Sequence, residues 1–140
     1  MQLLICEMNS SLRLSMRMAF AMGIFLPILE TIRRINQILM PQYFIHWFDD
    51  YILGAILIWA AWTVYKGRRN SGYFLIAAWG IAVGVLSMSF LYQLDLYINP
   101  GEEPGVFSKH LVAVVKGLLL AYIFIGLSKS VRGQEESEMK

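Results

Sequence analysis

The chain has 140 residues, of which 57% are hydrophobic and 16% charged, and its formal net charge at pH 7 is +2. Soluble domains carry about 45 to 50% apolar and about 25% charged residues, so this composition excludes an ordinary soluble domain and indicates a membrane protein. The net charge is too small to suggest nucleic-acid binding. The single cysteine, Cys6, excludes an internal disulfide or a CxxC redox motif.

Charge-free runs predict four transmembrane helices. The first is expected at about 12–39, around the apolar run 18–29. The second is expected at about 44–65, although its charge-free part, 51–65, would reach only about 22 Å at helical rise. Because a bilayer core is about 30 Å thick, this helix must begin upstream of its charge-free part. The two aspartates at its start are therefore drawn into the membrane.

The second half of the chain contains two further predicted spans. The third helix, about 72–93, lies in the charge-free run 70–94, which is longer than the roughly 20 residues that a membrane span requires. The fourth helix is expected at about 108–128, because the run 111–128 is apolar except for Lys116. Glycine, proline and polar residues separate the helices and support these limits.

Short connections predict an all-α fold, an up-down bundle of four helices within one transmembrane domain, 12–132. Residues 1–11 and 133–140 are expected to be tails. Most basic residues collect on one side of this bundle: Arg13, Arg17, Lys66, Arg68, Arg69, Lys129, Arg132 and Lys140. The other side holds Arg33, Arg34 and Lys109. The positive-inside rule then predicts that both termini are cytoplasmic, in an integral protein of a bacterial inner (plasma) membrane.

Small residues at helical spacing suggest where the helices pack. Gly80 and Gly84 form a GxxxG pair in the third helix, and Gly117 and Ala121 have the same spacing in the fourth. Small residues allow helix backbones to approach closely in lipid. We expect these stripes to pack against other helices of the same chain, and a homodimer face is the alternative.

Ionisable residues lie inside three of the predicted spans, and each costs about 2.5 kcal/mol or more at the bilayer centre unless it has a partner. Counting along the helices places Glu30, Asp50 and Lys116 about 9 to 12 Å below the outer surface. Opposite charges therefore reach one level of the membrane. We expect a charge cluster there that binds a ligand or a proton, with these members: Glu30, Arg33, Arg34, Asp49, Asp50 and Lys116.

Lys116 is the member of this cluster whose position has no local explanation. Its neighbours four residues away on either side are apolar, so its partner must lie on another helix. The candidate partners, in order of preference, are Asp50, Asp49 and Glu30. Glu30 itself can pair with Arg33 and Arg34 on its own helix. The aspartates can cap free N–H groups if the second helix begins at one of them.

A weaker pattern suggests a metal site. His46 precedes Asp49 and Asp50 by three and four residues, so the three side chains share a helix face and could bind a divalent metal together with His110. Lys116 nearby would repel a cation, and an interfacial histidine is the simpler explanation. No cofactor is predicted, because the sequence has no Gly-rich phosphate loop and no paired haem-ligating histidines.

Three classes of function remain open. The chain could bind or transport a proton, an ion or a small charged solute at the charge cluster, since paired carboxylates and bases inside a membrane commonly form proton relays. It could equally be an accessory or assembly subunit of a larger membrane complex, and either role allows a homodimer. A membrane enzyme with a metal or acid-base site at His46 ranks third. The lipid bilayer is the expected environment, and nucleic acid is not an expected partner.

Overall fold

The computed structural model describes residues 9–35, 45–99 and 106–139 of the chain. These residues form four α-helices and no strand, so the predicted all-α class is confirmed. The helices are α1 (Ser10–Arg33), α2 (Ile45–Tyr65), α3 (Ser71–Ile98) and α4 (Lys109–Glu138). By length and composition, α1, α3 and α4 could each cross a membrane. Helix α2 is not among these candidates, because Asp49 and Asp50 lower the hydropathy of its first half.

Polar side chains at the helix starts explain two of the boundaries. The Asn9 side chain accepts a hydrogen bond from the Ser11 N–H at 2.9 Å, and the Ser108 side chain accepts one from the Leu111 N–H at 3.5 Å. Such caps satisfy N–H groups that have no partner within the helix. Helix α3 begins differently, after Asn70 in a left-handed conformation with no side-chain cap.

Three helix ends differ from the predicted limits. Helix α1 ends at Arg33 rather than near residue 39, and residues 36–44 lie outside the described residues. Helix α3 continues five residues beyond its predicted end at 93, to Ile98. Helix α4 continues to Glu138, so most of the predicted tail is helical. Its last turns are rich in good helix formers and carry an ion pair between Arg132 and Glu136, at 3.3 Å and four residues apart.

Each helix packs mainly on two others. Helix α1 contacts α2 and α4, and α3 likewise contacts α2 and α4. The core between them contains side chains with no exposed surface, among them Leu57, Leu75, Trp79 and Ile123. Much of the outer surface is also apolar, including Trp59, Met88 and Leu118. Apolar groups on both sides of a helix suit a protein whose solvent is lipid.

Hydrogen bonds and ring contacts define two ends of this assembly. At one end, which we call the charged end, the last turns of α1 contact the start of α2, and the end of α3 contacts the start of α4. There the Val106 N–H donates to the Arg33 carbonyl at 3.1 Å. At the opposite end, which we call the Asn70 end, the Trp59 and Phe74 rings of α2 and α3 lie 5.6 Å apart. Asn9 also donates to Glu136 there, which joins α1 to α4.

Close helix contacts occur at glycines outside the GxxxG pair of α3, and one of them, Gly54, shares a stripe of small residues with Ala61 whose spacing also predicts packing. A Cβ atom added to Gly23 would lie 2.7 Å from the Gly54 carbonyl oxygen, and one added to Gly126 would lie 2.5 Å from the Trp79 ring. Glycine is required at these positions because no larger residue fits between the helices. The backbones of α1 and α2 thus touch at Gly23 and Gly54.

The predicted packing glycines of α3 have different surroundings. Gly80 and Gly84 are exposed, and a Cβ atom added to either would meet no atom within 4 Å. They face away from the other described helices of this chain, because α3 turns Ala78, Trp79 and Ala82 toward the core instead. In α4, a Cβ atom at Gly117 would lie 3.6 Å from the Phe90 ring, an ordinary contact, and Ala121 is exposed.

Neutral hydrogen bonds join three helices around Trp79, and we call this group the Trp79 layer: Ser15, Trp79 and Gly126. The Trp79 Nε1–H donates to the Ser15 hydroxyl at 2.8 Å, and that hydroxyl donates to the Gly126 carbonyl at 2.9 Å. Ser15 and Trp79 have no exposed surface. Buried polar groups require such partners, and here the partners tie α1, α3 and α4 together.

Candidate functional site

Glu30 is the acidic centre of the charged end, and only 7% of its surface is exposed. Its carboxylate pairs with Arg33, at 3.4 Å between Oε2 and Nη1, and with the Arg34 Nε–H. Both partners lie on or directly after the last turn of α1, three and four residues beyond Glu30, as the sequence spacing predicts. Two guanidinium groups therefore neutralise a carboxylate that would otherwise be costly to bury.

Lys116 contacts neutral acceptors rather than a carboxylate. Its ammonium group donates to the Ser89 carbonyl at 3.1 Å and to the Gln93 Oε1 at 3.4 Å, both on α3. Gln93 has no exposed surface. Within the described ranges, no carboxylate lies within 4.0 Å of the ammonium group. The structure thus agrees with an interhelical partner for Lys116, but the direct contact expected with an acidic residue is absent.

The acidic residues affect Lys116 from a greater distance. Glu30 and Asp50 are both close enough for their charges to act on the ammonium group, and so are the guanidinium groups of Arg33 and Arg34. Charges from three helices therefore lie near one another at the charged end. The combination of two carboxylates, two guanidinium groups and one ammonium group carries a net charge near +1.

Asp50 differs from Glu30 in having no cation in contact. It lies mostly inside the protein, and the charges of Glu30, Lys116, Arg33 and Asp49 act on it without direct contact. Among the described residues, Asp50 takes part in no hydrogen bond or ion pair within 4.0 Å. A carboxylate in these surroundings is the member of the cluster with free capacity to accept a proton or to bind a ligand.

The aspartates do not cap α2. That helix begins at Ile45, which places Asp49 and Asp50 in its second turn, beyond the free N–H groups of the first. Asp49 is exposed and points away from the protein interior. Next to Asp50, the Tyr51 hydroxyl lies 2.5 Å from Thr31 Oγ1, and this hydrogen bond joins the start of α2 to the end of α1.

The possible metal ligands do not come together in the described part of the chain. No group of three His, Cys, Asp or Glu side chains with metal-binding geometry is present among the residues described there. His110 instead lies beside Tyr97, whose hydroxyl is 3.1 Å from the imidazole Nδ1. The side chain of His46 lies outside the described residues, so its proposed contribution stays a prediction.

Gln93 and the Ser89 carbonyl are parts of the site that the sequence did not indicate. Gln93 is uncharged, so charged residues within the predicted spans do not indicate it. Its position four residues after Ser89 on α3 is the only signal, because the two acceptors then face the same side of the helix. Because Asp49 is exposed and Gln93 contacts Lys116, the charge cluster differs from the predicted set by these two residues. Its members are Glu30, Arg33, Arg34, Asp50, Gln93 and Lys116.

The chain matches no protein-family model, and comparisons with curated proteins and with solved structures give no match. The interpretation of the charge cluster therefore depends on its own geometry.

Proposed function

We propose that the chain is an integral membrane protein that crosses the bilayer four times as an up-down bundle, with both termini in the cytoplasm. Helix α2 has 21 residues, which at helical rise gives about 32 Å, enough to cross a bilayer core. The basic residues near the Asn70 end support a cytoplasmic location for that end. The proposed location is a bacterial inner membrane, in which the positive-inside rule gives this orientation.

In this topology the charge cluster faces the outside, and its function is to bind a proton or a small charged solute. The observation that carries this proposal is Asp50, a largely buried carboxylate without a contacting cation. Glu30 is already neutralised by two arginines, and Lys116 donates to neutral oxygens. Burial separates the Asp50 carboxylate from water, and no described group donates a hydrogen bond to it, so the cluster is suited to exchange a proton at this residue.

A direct test compares Asp50→Asn with Asp49→Asn, because the two residues are adjacent and only Asp50 is largely buried. Infrared difference spectra of the membrane-embedded protein, recorded across a pH titration, would report the carbonyl stretch of a protonated carboxyl group. We expect Asp50→Asn to remove one such band and Asp49→Asn to leave it unchanged. An unchanged band in Asp50→Asn would contradict the proposal.

An accessory role in a larger membrane complex is the second candidate, and the exposed Gly80 and Gly84 favour it. Their side of α3 is open to close approach by a helix of another protein. The infrared experiment separates the two roles. A charge cluster that only stabilises the helices would show no titrating carboxyl band from Asp50.

The topology can be tested with two cysteines introduced after Cys6 is replaced by serine. Met139 and Ile98 are matched positions, since 79% and 80% of their surfaces are exposed and they lie at opposite ends of the protein. We expect an impermeant thiol reagent added to intact cells to label Ile98→Cys and not Met139→Cys. Permeabilised cells should label both. Labelling of Met139→Cys in intact cells would reverse the proposed orientation.

A further inference from the structure

Two cations of the charge cluster, Arg33 and Lys116, come from different helices and lie near each other. Among the charges that act on the Lys116 ammonium group, the Arg33 guanidinium group acts more strongly than the carboxylate of either Glu30 or Asp50. Like charges repel each other more strongly where water is scarce, so this arrangement costs free energy. An anion held between the two cations would attract both of them and offset that cost.

Arg33 has a buried hydrogen-bond donor without a partner. Its Nη1 pairs with Glu30 at 3.4 Å, but its Nε–H is buried and forms no hydrogen bond among the described residues. The Arg33 carbonyl accepts the Val106 N–H, which holds the end of α1 against the segment that leads into α4. A buried donor is rarely left unsatisfied, because its desolvation is then not compensated. The Arg33 Nε–H therefore indicates an acceptor that is not a side chain of this cluster.

Lys116 also has a donor to spare. An ammonium group has three donors, and those of Lys116 include one to the Ser89 carbonyl and one to the Gln93 Oε1, both neutral oxygens of α3. The third has no partner within the described ranges, where no carboxylate lies within 4.0 Å of the ammonium group either. The charge of Lys116 is thus hydrogen-bonded but not neutralised by a contact.

We propose that Arg33 and Lys116 bind a small monovalent anion, with the Arg33 Nε–H and the third Lys116 N–H as donors. This inference rests on the proposed function, because it identifies the class of charged solute that the charge cluster binds. With both carboxylates ionised the cluster has a net charge of about +1, so one monovalent anion would make it neutral, which suits burial in a membrane. Charged N–H donors bind carboxylates tightly, and chloride accepts hydrogen bonds in the same way.

The experiment uses the full chain in a maltoside detergent and a chloride-free buffer, with chloride as the probe. Chloride is titrated at constant ionic strength, and binding is read from the broadening of its chlorine nuclear magnetic resonance line. In a second arm, formate is added to displace the bound chloride. Four variants are compared with the wild type: Arg33→Gln, Arg33→Lys, Lys116→Gln and Lys109→Gln. Lys109 provides the matched control, because it lies on the same helix as Lys116 but over the Tyr97 ring, at 5.2 Å.

We expect the wild type and Lys109→Gln to bind chloride equally. Arg33→Gln and Lys116→Gln should bind it about tenfold more weakly, since each loses a charge-assisted hydrogen bond. Arg33→Lys keeps the charge that pairs with Glu30 and loses the Nε–H. It should therefore bind chloride more weakly than the wild type with unchanged circular dichroism, which decides the question even if a neutral variant fails to fold.

The formate arm defines the class of anion. Displacement of chloride by formate would identify a site for both halides and small carboxylates, whereas chloride binding that formate does not affect would identify a halide site. Absence of line broadening in the wild type, or equal affinities in the wild type and Arg33→Lys, would overturn the proposal.

The infrared test of Asp50 has a separate readout, so the two proposals can fail separately. Chloride binding without a titrating Asp50 band would overturn the proton site alone. A titrating Asp50 band without chloride binding would overturn the anion site alone.

Discussion

The charge cluster and the Trp79 layer hold their polar groups differently, although Lys116 of the cluster also donates hydrogen bonds to another helix. In the charge cluster the close ion pairs join Glu30 to arginines that follow it on the same stretch of chain. In the Trp79 layer the groups are neutral, and each hydrogen bond joins two helices. The Trp79 layer also contains Gly126, where the indole ring leaves no space for a larger residue.

We infer from this difference that the Trp79 layer stabilises the packing of the helices, whereas the charge cluster is able to change its charge. Ion pairs within one helix satisfy buried charges without fixing the positions of neighbouring helices. Hydrogen bonds between helices, combined with contacts at glycine, do fix those positions. We therefore expect α1, α3 and α4 to be held mainly near Trp79. Under the proposed function, the charged end, where Asp50 has no contacting cation, would then gain or lose a proton without disturbing the rest of the fold.

The largest effect should come from Gly126→Ala, compared with the same change at Gly80. At Gly126 the new methyl group would lie 2.5 Å from the Trp79 ring, whereas at Gly80 it would meet nothing within 4 Å. Overpacking of this kind costs about 1 to 3 kcal/mol, so Gly126→Ala should lower the free energy of unfolding by about 2 kcal/mol. Gly80→Ala should raise it slightly, because alanine favours helix more than glycine does.

Unfolding of the detergent-solubilised protein in increasing dodecyl sulfate measures both changes. The circular dichroism of each folded variant serves as a control for helix content. Similar losses in Gly126→Ala and Gly80→Ala would show that the contact with Trp79 does not hold the helices together.

A smaller effect should distinguish the partners of Lys116. Double-mutant cycles can pair Lys116→Met either with Gln93→Leu or with Asp50→Asn. Because Lys116 contacts Gln93 and acts on Asp50 only at a distance, the coupling with Gln93 should be the larger, at about 1 kcal/mol. Hydrogen bonds between membrane helices average about 0.6 kcal/mol in such cycles, so the coupling with Asp50 should fall below that value.

The same dodecyl sulfate titration yields these coupling energies. A third cycle pairs Lys116→Met with a substitution of Tyr92, an exposed residue of α3 next to Gln93. Its coupling energy gives the baseline for two residues without contact. If the coupling with Asp50 exceeded the coupling with Gln93, Lys116 would be paired mainly to the carboxylate, and the charge cluster and the Trp79 layer would differ less than we propose.

The fold class could be predicted because composition and the length of charge-free runs are properties of many residues together, and do not depend on the position of any single side chain. The apolar content indicates a membrane protein, and the length of the run 51–65 requires a start for α2 near residue 44, where the helix does begin at Ile45. The C-terminal end of α4 was harder to predict. Polar residues in 133–138 resemble a tail, yet they are also good helix formers and extend the preceding helix.

The partners within the site could be predicted only in part. Spacing along one helix correctly relates Glu30 to the two arginines, because sequence distance fixes spatial distance there. The sequence indicates that Lys116 has a partner on another helix. Which residue that partner is depends on how α3 and α4 rotate about their axes. The same rotation decides which glycines touch a neighbour. Gly80 and Gly84 have the expected spacing, while the isolated Gly126 makes the tight contact.

The burial of Trp79 has a practical consequence for optical studies of this protein. The chain contains four tryptophans, of which Trp59 and Trp62 are about half exposed at the outer surface, with exposed fractions of 55% and 48%. A variant that keeps Trp79 and carries phenylalanine at the other three positions would have one fluorophore, located where three helices meet. Its emission would follow the separation of those helices directly, without any attached dye.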